Sequence, residues 1–407
     1  MQTPINKRKI FNDPVYGFIT IRHEVIYDLI EHRYFQRLRR IKQLGMSHYV
    51  YPGAYHTRFH HALGALHLTQ LALDELCAKG HDITPEEQEA VCIGILLHDI
   101  GHGPFSHVLE YTLLNEVKHE DVSTLLMAKL NQHFKGKLSL AIEIFENKYP
   151  RKFFHQLVSS QLDVDRLDYL SRDSFYTGVR EGFIGSERLL SMMDLNNEQL
   201  VIEEKGIYST ENFLMARRLM YWQVYMHKSV VAAENMLVKI IERAQWLLAQ
   251  KEDAIETGTV LDYFLSEFTG KLADIDLNAY CQLDDTDILS AIKKWQHHKD
   301  PVISLLCNRL LNRKSFKCKM QDKPISASEW DAAYALVRAK FPMNEKDLSF
   351  LCFKGEATNT LYKNDGETIK ILLKTGQIST ISQIQNALIN ESLSAPVKKF
   401  YICLLNE

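Results

Sequence analysis

Leu96-Leu97-His98-Asp99-Ile100-Gly101-His102-Gly103-Pro104-Phe105-Ser106-His107 is the stretch on which the reading of this chain turns. Apolar residues at three- and four-residue spacing over 86–97 predict a helix that runs into an adjacent His-Asp pair and stops at Gly101 and Gly103-Pro104. Neighbouring side chains on a straight helix point about 100° apart, but at a helix end the backbone can turn both toward one ion. A neutral imidazole with a carboxylate suits Mn, Fe, Co, Ni or Zn, and the carboxylate also tolerates Mg. The glycines let the backbone pass close to a ligand. An isolated His-Asp pair is more often a polar helix end than a metal site, so the neighbourhood decides.

Three further segments bear on it. His56-Thr57-Arg58-Phe59-His60-His61 lies upstream, His119-Glu120 follows, and Asp163-Val164-Asp165-Arg166-Leu167-Asp168-Tyr169 comes later. One upstream histidine, the pair and a distant aspartate supply two nitrogens and two oxygens, with coordination positions left for water and substrate.

As an ordered set these pieces, with Phe35–Gly45 and Tyr51-Pro52-Gly53-Ala54, resemble the HD superfamily of phosphohydrolases, and within it the deoxynucleoside triphosphate triphosphohydrolases. The resemblance covers roughly residues 9–230. It implies a divalent metal on His61, His98, Asp99 and Asp165, of unspecified identity among Mn, Mg, Fe, Ni, Co and Zn. It implies a catalytic cluster of His102, His107, Glu110 and His119, with His119 protonating the leaving nucleoside oxygen. A triphosphate ester also needs cations for its oxygens, for which Arg58 and Arg166 are suited, and an acid that titrates near neutrality, which histidine supplies.

Tyr169 and Asp173 follow Asp165 by four and eight residues and share its helix face. Arg217, Tyr221 and Tyr225 repeat that spacing, and Lys228 extends the row. The competing reading is an amphipathic core helix with tyrosine hydroxyls at its rim. The resemblance favours substrate contact: Tyr225 against the sugar 2′ position, and Gln43, Leu44 and Asp173 at its 3′ end. It also implies an activating nucleotide at Lys9, Asn12, Gln36, Arg37 and Arg39, and assembly as a homo-dimer or homo-tetramer. Arg37, Arg39, Arg40 and Lys42 form a basic run, which as often is a solvated face.

The remainder of the chain constrains the class. Its 407 residues, 46% hydrophobic and 24% charged, exceed one compact core. The net charge of −3 gives no global basic excess, so nucleic acid is not an expected partner. Seven dispersed cysteines without CxxC spacing read as reduced thiols. The N-terminus lacks an apolar targeting segment, and no apolar run is long enough to span a bilayer, so a soluble cytoplasmic protein is expected.

The expected fold is mostly α: an HD-domain helical bundle with a small β-hairpin and a smaller α+β C-terminal region. An extended segment is expected over 1–22, the helical domain over 23–315 and the α+β region over 316–407. Helices are expected over 24–44, 61–78, 86–98, 107–115, 119–133, 153–172 and 210–250. The hairpin is expected within Leu200–Tyr208 and a polar loop at Asp284–Asp287. Strands are expected at Leu348–Phe353, Thr358–Tyr362, Thr368–Leu373 and Val397–Leu405, with a turn at Asn364–Gly366. The expected reaction is hydrolysis of a deoxynucleoside triphosphate to deoxynucleoside and tripolyphosphate. A nucleotidase or phosphodiesterase on a mono- or cyclic nucleotide, and a non-catalytic nucleotide-sensing oligomer, are the alternatives.

Overall fold

The computed structural model describes residues 9–115, 117–251, 255–359, 368–384 and 397–405. It is mostly helical with small β regions, as expected, and the described residues form three small sheets. The N-terminal segment is a complete hairpin, β1 (Lys9–Asp13) and β2 (Gly17–Ile21). Its turn is closed by Asp13, whose Oδ1 accepts from the Val15 and Tyr16 amides at 2.9 and 3.0 Å.

The Arg58–Ala78 helix is the axis of the bundle. The Pro85–Leu97 and Val164–Thr177 helices pack on it, and it is apolar on most of its faces, as a helix enclosed by others must be. The expected helix start at Thr84-Pro85 is found: Thr84 accepts from the Glu87 amide at 3.2 Å, and Glu87 reaches back to the Thr84 amide at 2.9 Å.

Three expected helices are broken. The 24–44 stretch ends its helix at Glu31 and continues through a short Arg33–Gln36 turn and a 3-10 turn at Arg37–Arg40. The 153–172 stretch divides into Phe153–Val158 and Val164–Thr177. Asp163 makes that second start by accepting from the Arg166 amide at 2.8 Å. The 210–250 stretch divides into Ile207–Met220, a π-turn at Tyr221–Tyr225, and Lys228–Ala249. Hydrophobic periodicity continues across each break, because the interrupting groups are polar side chains that satisfy backbone locally.

The internal hairpin lies earlier than expected. β3 (Met193–Asn196) and β4 (Gln199–Glu203) flank a turn at Asn197 and Glu198, both with positive φ (49° and 59°), and Ile207 already belongs to the next helix. β4 also pairs in parallel with β7 (Lys370–Leu372), which pairs antiparallel with β8 (Ile378–Thr380). The third sheet has the order β5 (Lys317–Gln321), β9 (Val397–Leu404), β6 (Cys352–Asn359), antiparallel throughout.

The expected loop at Asp284–Asp287 is instead the start of the Asp285–Trp295 helix, with Asp284 accepting from the Thr286 amide at 2.8 Å. Glu345–Leu348 is helical, so the strand expected over Leu348–Phe353 begins only at Cys352. The expected Asn364–Gly366 turn, and most of the Thr358–Tyr362 strand, fall outside the described residues. No described helix is long and apolar enough to cross a membrane.

Candidate metal centre and adjoining cavity

Four side chains from three places in the chain converge. His61 lies in the first turn of the Arg58–Ala78 helix, His98 and Asp99 stand where the Pro85–Leu97 helix ends, and Asp165 lies in the first turn of the Val164–Thr177 helix. His61 Nε2 is 3.4 Å from His98 Nε2, 3.0 Å from Asp165 Oδ1 and 3.7 Å from Asp99 Oδ2. His98 Nε2 is 3.3 Å from Asp99 Oδ1 and 3.4 Å from Asp165 Oδ1. Ligands ~2.1 Å from one ion sit about 3.0 Å apart in an octahedron and about 3.4 Å apart in a tetrahedron. Four of the five spacings match the edges of a coordination polyhedron, while the 3.7 Å one is longer and Asp99 turns a different oxygen to each histidine.

The tautomers agree with that reading. His61 Nδ1 faces Asp168 Oδ2 at 2.7 Å, and His98 Nδ1 faces the Ile95 carbonyl at 2.6 Å. Donation through Nδ1 leaves each Nε2 lone pair aimed at the other, an arrangement that needs positive charge between them. The electrostatics point the same way. Burial opposes charging His61, yet Asp165 and Asp168 push it up to about 10. Burial likewise opposes ionisation of Asp99 and Asp165, and the facing cations and rings hold both below the carboxylate range. The residues present fit a divalent metal.

His60 is turned away. Its Nδ1 accepts from the Thr57 amide at 3.1 Å and closes the helix start. Below the quartet runs a buried relay that sequence reasoning did not assign. Asp168 also accepts from Arg172 Nη2 at 2.9 Å, and Arg172 Nη1 donates to Asp13 Oδ2 at 2.7 Å. Asp168 was visible as the third polar residue of Asp165-Arg166-x-Asp168, but its use needed the fold.

On the open side, Arg58 donates to Asp99 Oδ2 at 2.6 Å, and its Nη2 is 3.5 Å from His107 Nε2. His102 stacks on His119 with ring centroids 3.8 Å apart. His102 Nε2 lies 3.1 Å from Asp99 Oδ1, and its Nδ1 is 2.5 Å from Ser106 Oγ. Burial and the Arg58 charge hold His102 well below the usual histidine range and His107 down to about 4. Both are thus neutral at physiological pH. Glu110 accepts from the His119 amide at 2.7 Å, and its Oε1 is 2.9 Å from His119 Nδ1. Despite its partial burial, those bonds keep the Glu110 carboxyl below its ordinary value. His119 is therefore gripped at Nδ1 and free at Nε2, the geometry of a positioned proton donor.

Arg166 is placed differently. It pairs with Asp163 and does not line the adjoining cavity, whereas Arg58 does. That cavity has a volume of about 690 Å³. Gln43, Leu44, Arg58, His107, Tyr169, Asp173, Arg217 and Tyr225 all reach its wall, together with Lys42, Tyr221 and Glu234, which sequence reasoning gave no site role or, for Tyr221, only a row position. Lys228 does not. Tyr225 OH donates to Asp173 Oδ2 at 2.7 Å, and the other Asp173 oxygen is 2.7 Å from His56 Nε2.

Of the five residues associated with an activating nucleotide, Lys9, Asn12 and Arg39 are exposed and Gln36 is half-buried. Arg39 Nε donates to Gln36 Oε1 at 2.9 Å, and Lys9 and Asn12 lie on β1. Arg37 stands apart: it is fully buried and donates to the carbonyls of Ile100, His102 and Leu283 at 3.1, 2.8 and 3.3 Å.

A helical bundle that closes two histidines and two aspartates around one point is the architecture of metal-dependent HD-domain hydrolases. The comparisons agree. The HD-domain family model matches residues 58–173, and the HD-associated-region model matches 184–266. A solved phosphohydrolase structure from Bacteroides thetaiotaomicron is 46% identical, with a TM-score of 0.93, covering 98% of this chain and 100% of that one. The uncharacterized protein YwfO of Bacillus subtilis is 35% identical over 96% of this chain and 90% of its own. The deoxynucleoside triphosphate triphosphohydrolase SAMHD1 homolog of Dictyostelium discoideum is 31% identical over 63% of this chain and 54% of its own. The chain belongs to the HD phosphohydrolase superfamily, with dNTPase-like relatives.

Proposed function

We propose that this protein hydrolyses deoxynucleoside triphosphates to deoxynucleoside and tripolyphosphate, with His61, His98, Asp99 and Asp165 holding a divalent cation. The observation that carries the reading is the continuity of the two sites. Arg58 and His107 belong at once to the surroundings of the quartet and to the wall of a cavity whose far polar group is the Tyr225–Asp173 pair. A triphosphate beside the quartet would place its sugar against that pair.

A divalent cation there supplies an activated water and neutralises phosphate charge. Arg58, Arg217 and Lys42 offer positive charge to the triphosphate oxygens. His119, held through Nδ1 by Glu110, delivers a proton to the nucleoside oxygen as its bond to the α-phosphorus breaks. His102 and His107 remain neutral and orient. Asp173 accepts the sugar 3′ hydroxyl, and the Tyr225 ring fills the space a 2′ hydroxyl would need. Lys9, Asn12, Gln36 and Arg39 are the residues on which an activating nucleotide would bind and bring copies of the chain together as a dimer or tetramer.

The test is product analysis of each dNTP with Mn²⁺ or Mg²⁺, with and without GTP, alongside thermal denaturation with and without metal. Tripolyphosphate with free deoxynucleoside is expected. Metal at 100 times its dissociation constant should stabilise the fold by about 2.7 kcal/mol. Orthophosphate as the released product would favour a nucleotidase. Metal-dependent stabilisation without any product would leave a non-catalytic sensor.

A further inference from the structure

Besides Asp173, which is paired with Tyr225 and His56, the cavity contains one acid that neither the metal quartet nor the catalytic cluster uses. Glu234 lies on the Lys228–Ala249 helix with its carboxyl open to the cavity. A Cβ placed on Gly45 would come within 3.1 Å of Glu234 Oε1 and 3.8 Å of Val108 Cγ2, so the carboxyl sits against the Leu44-Gly45 wall beside Val108. Burial pushes it up to about 8, and the one interaction that opposes this is a hydrogen bond from the Met46 amide. No cation is paired with it among the described residues. Its neighbour Asn235 is already engaged, donating to the Val231 carbonyl at 2.8 Å and meeting the Tyr401 side chain.

A half-buried carboxyl with one backbone bond retains acceptor capacity that faces the cavity and is open to a ligand. Neutral or ionised, it offers no positive charge to a triphosphate. The cavity's cations, Lys42, Arg58 and Arg217, suit that end, and the Tyr225–Asp173 pair suits the sugar. The part of a nucleotide left over is the base. The wall around Glu234 is apolar, formed by Leu44, Val108, Met226 and Val238, as a flat ring requires.

We propose that Glu234 selects the base, accepting a hydrogen bond from an exocyclic amino group and so favouring adenine, guanine and cytosine over thymine and uracil. This rests on the dNTP reading and adds to it the substrate class. The ionised carboxylate, present above about pH 8, only accepts, whereas a protonated carboxyl could also donate its O–H to a carbonyl. A uracil ring instead turns its O4 carbonyl toward that oxygen, leaving two acceptors facing each other. An unsatisfied buried acceptor costs ~1–3 kcal/mol.

The experiment compares kcat/KM for dCTP and dUTP, which differ in no methyl group, on the full chain with Mn²⁺ at a pH above about 8, where the carboxylate is ionised. The wild type, Glu234→Gln and Glu234→Leu are assayed. The wild type should prefer dCTP by roughly tenfold or more. Glu234→Gln offers an N–H as well as an acceptor oxygen and should lose most of the preference. Glu234→Leu should bring the two substrates within about threefold while still cleaving dUTP. Equal turnover of dCTP and dUTP by the wild type, or an undiminished ratio in folded Glu234→Leu, overturns the base assignment and leaves the dNTP reading standing. No turnover of any dNTP by the wild type overturns both.

Discussion

Asp168 does not line the cavity, yet its carboxylate decides which nitrogen of His61 faces His98 and Asp165. Its bond to His61 Nδ1 fixes the tautomer and ring angle. Asp168→Asn should weaken Mn²⁺ binding by 10–100-fold as a rough range, read by calorimetry on protein whose circular dichroism is unchanged; wild-type affinity would remove Asp168 from the support of the site. Gly64 shows the same tightness one turn along. A Cβ there would lie 1.9 Å from Asp168 Oδ1 and 2.1 Å from Arg172 Nη2. Gly64→Ala, which on helix propensity alone would stabilise by roughly 1 kcal/mol, should instead lower the melting temperature. A rise would show that the relay can shift without cost. His119→Gln should reduce kcat by roughly 10²-fold or more while nucleotide affinity is retained, since the ring contributes a proton and little binding area. An unchanged kcat would assign the proton to another group.

At the scale of elements, the breaks in the helices do the positioning. The π-turn at Tyr221–Tyr225 inserts a wider turn between Ile207–Met220 and Lys228–Ala249. Such turns re-aim side chains at functional sites. Arg217, Tyr221 and Tyr225 all face the cavity in spite of it. Tyr225→Ala should lower the preference for dNTPs over ribonucleotides by about tenfold or more, measured as the ratio of kcat/KM values. An unaltered ratio would return that tyrosine to a packing role. The Gly101–Pro104 turn acts similarly, since Gly101 has His119 and Ser123 backbone so close that a Cβ would meet them at 2.2 and 2.3 Å. The Gly101 carbonyl accepts from Tyr280 OH at 2.5 Å, so this loop is held from both sides.

Across the whole molecule, the C-terminal third is fastened to the helical body by buried charge. Arg243, on the helix that carries Glu234, donates to Asp300 Oδ2 at 2.5 Å and to Asp347 Oδ1 at 2.7 Å. Arg243→Met would leave two carboxylates without their cation. It should destabilise by about 3–5 kcal/mol, read from urea denaturation at pH 7. Although burial opposes it, Arg243 holds Asp300 below its ordinary 3.8. That contribution is complete above the unfolded value and disappears as pH falls through the depressed folded one. The difference between wild type and variant should therefore narrow only below about pH 4; a gap that narrows between pH 7 and 5 would point to another group.

Much of this protein was legible in the residues. The helix ending in His98-Asp99, the Thr84-Pro85 start and the helix over His119–His133 depend on neighbours within a few positions, and local pattern shows them directly. The resemblance carried the four candidate ligands because it compares an ordered set and not a single motif. What required the tertiary structure was every relation between distant positions. The inward turn of Arg37, hidden in a run of basic residues, depends on three carbonyls that arrive from residues 100, 102 and 283. The pairing of β4 with β7 depends on chain about 170 residues away, which nothing within Leu200–Tyr208 announces. The roles of Asp168 and Glu234 follow from what lies across a helix interface, which periodicity cannot encode. Spacing along the chain specifies which side chains share a face. Only packing specifies what that face meets, because burial and charge pairing are set by neighbours in space.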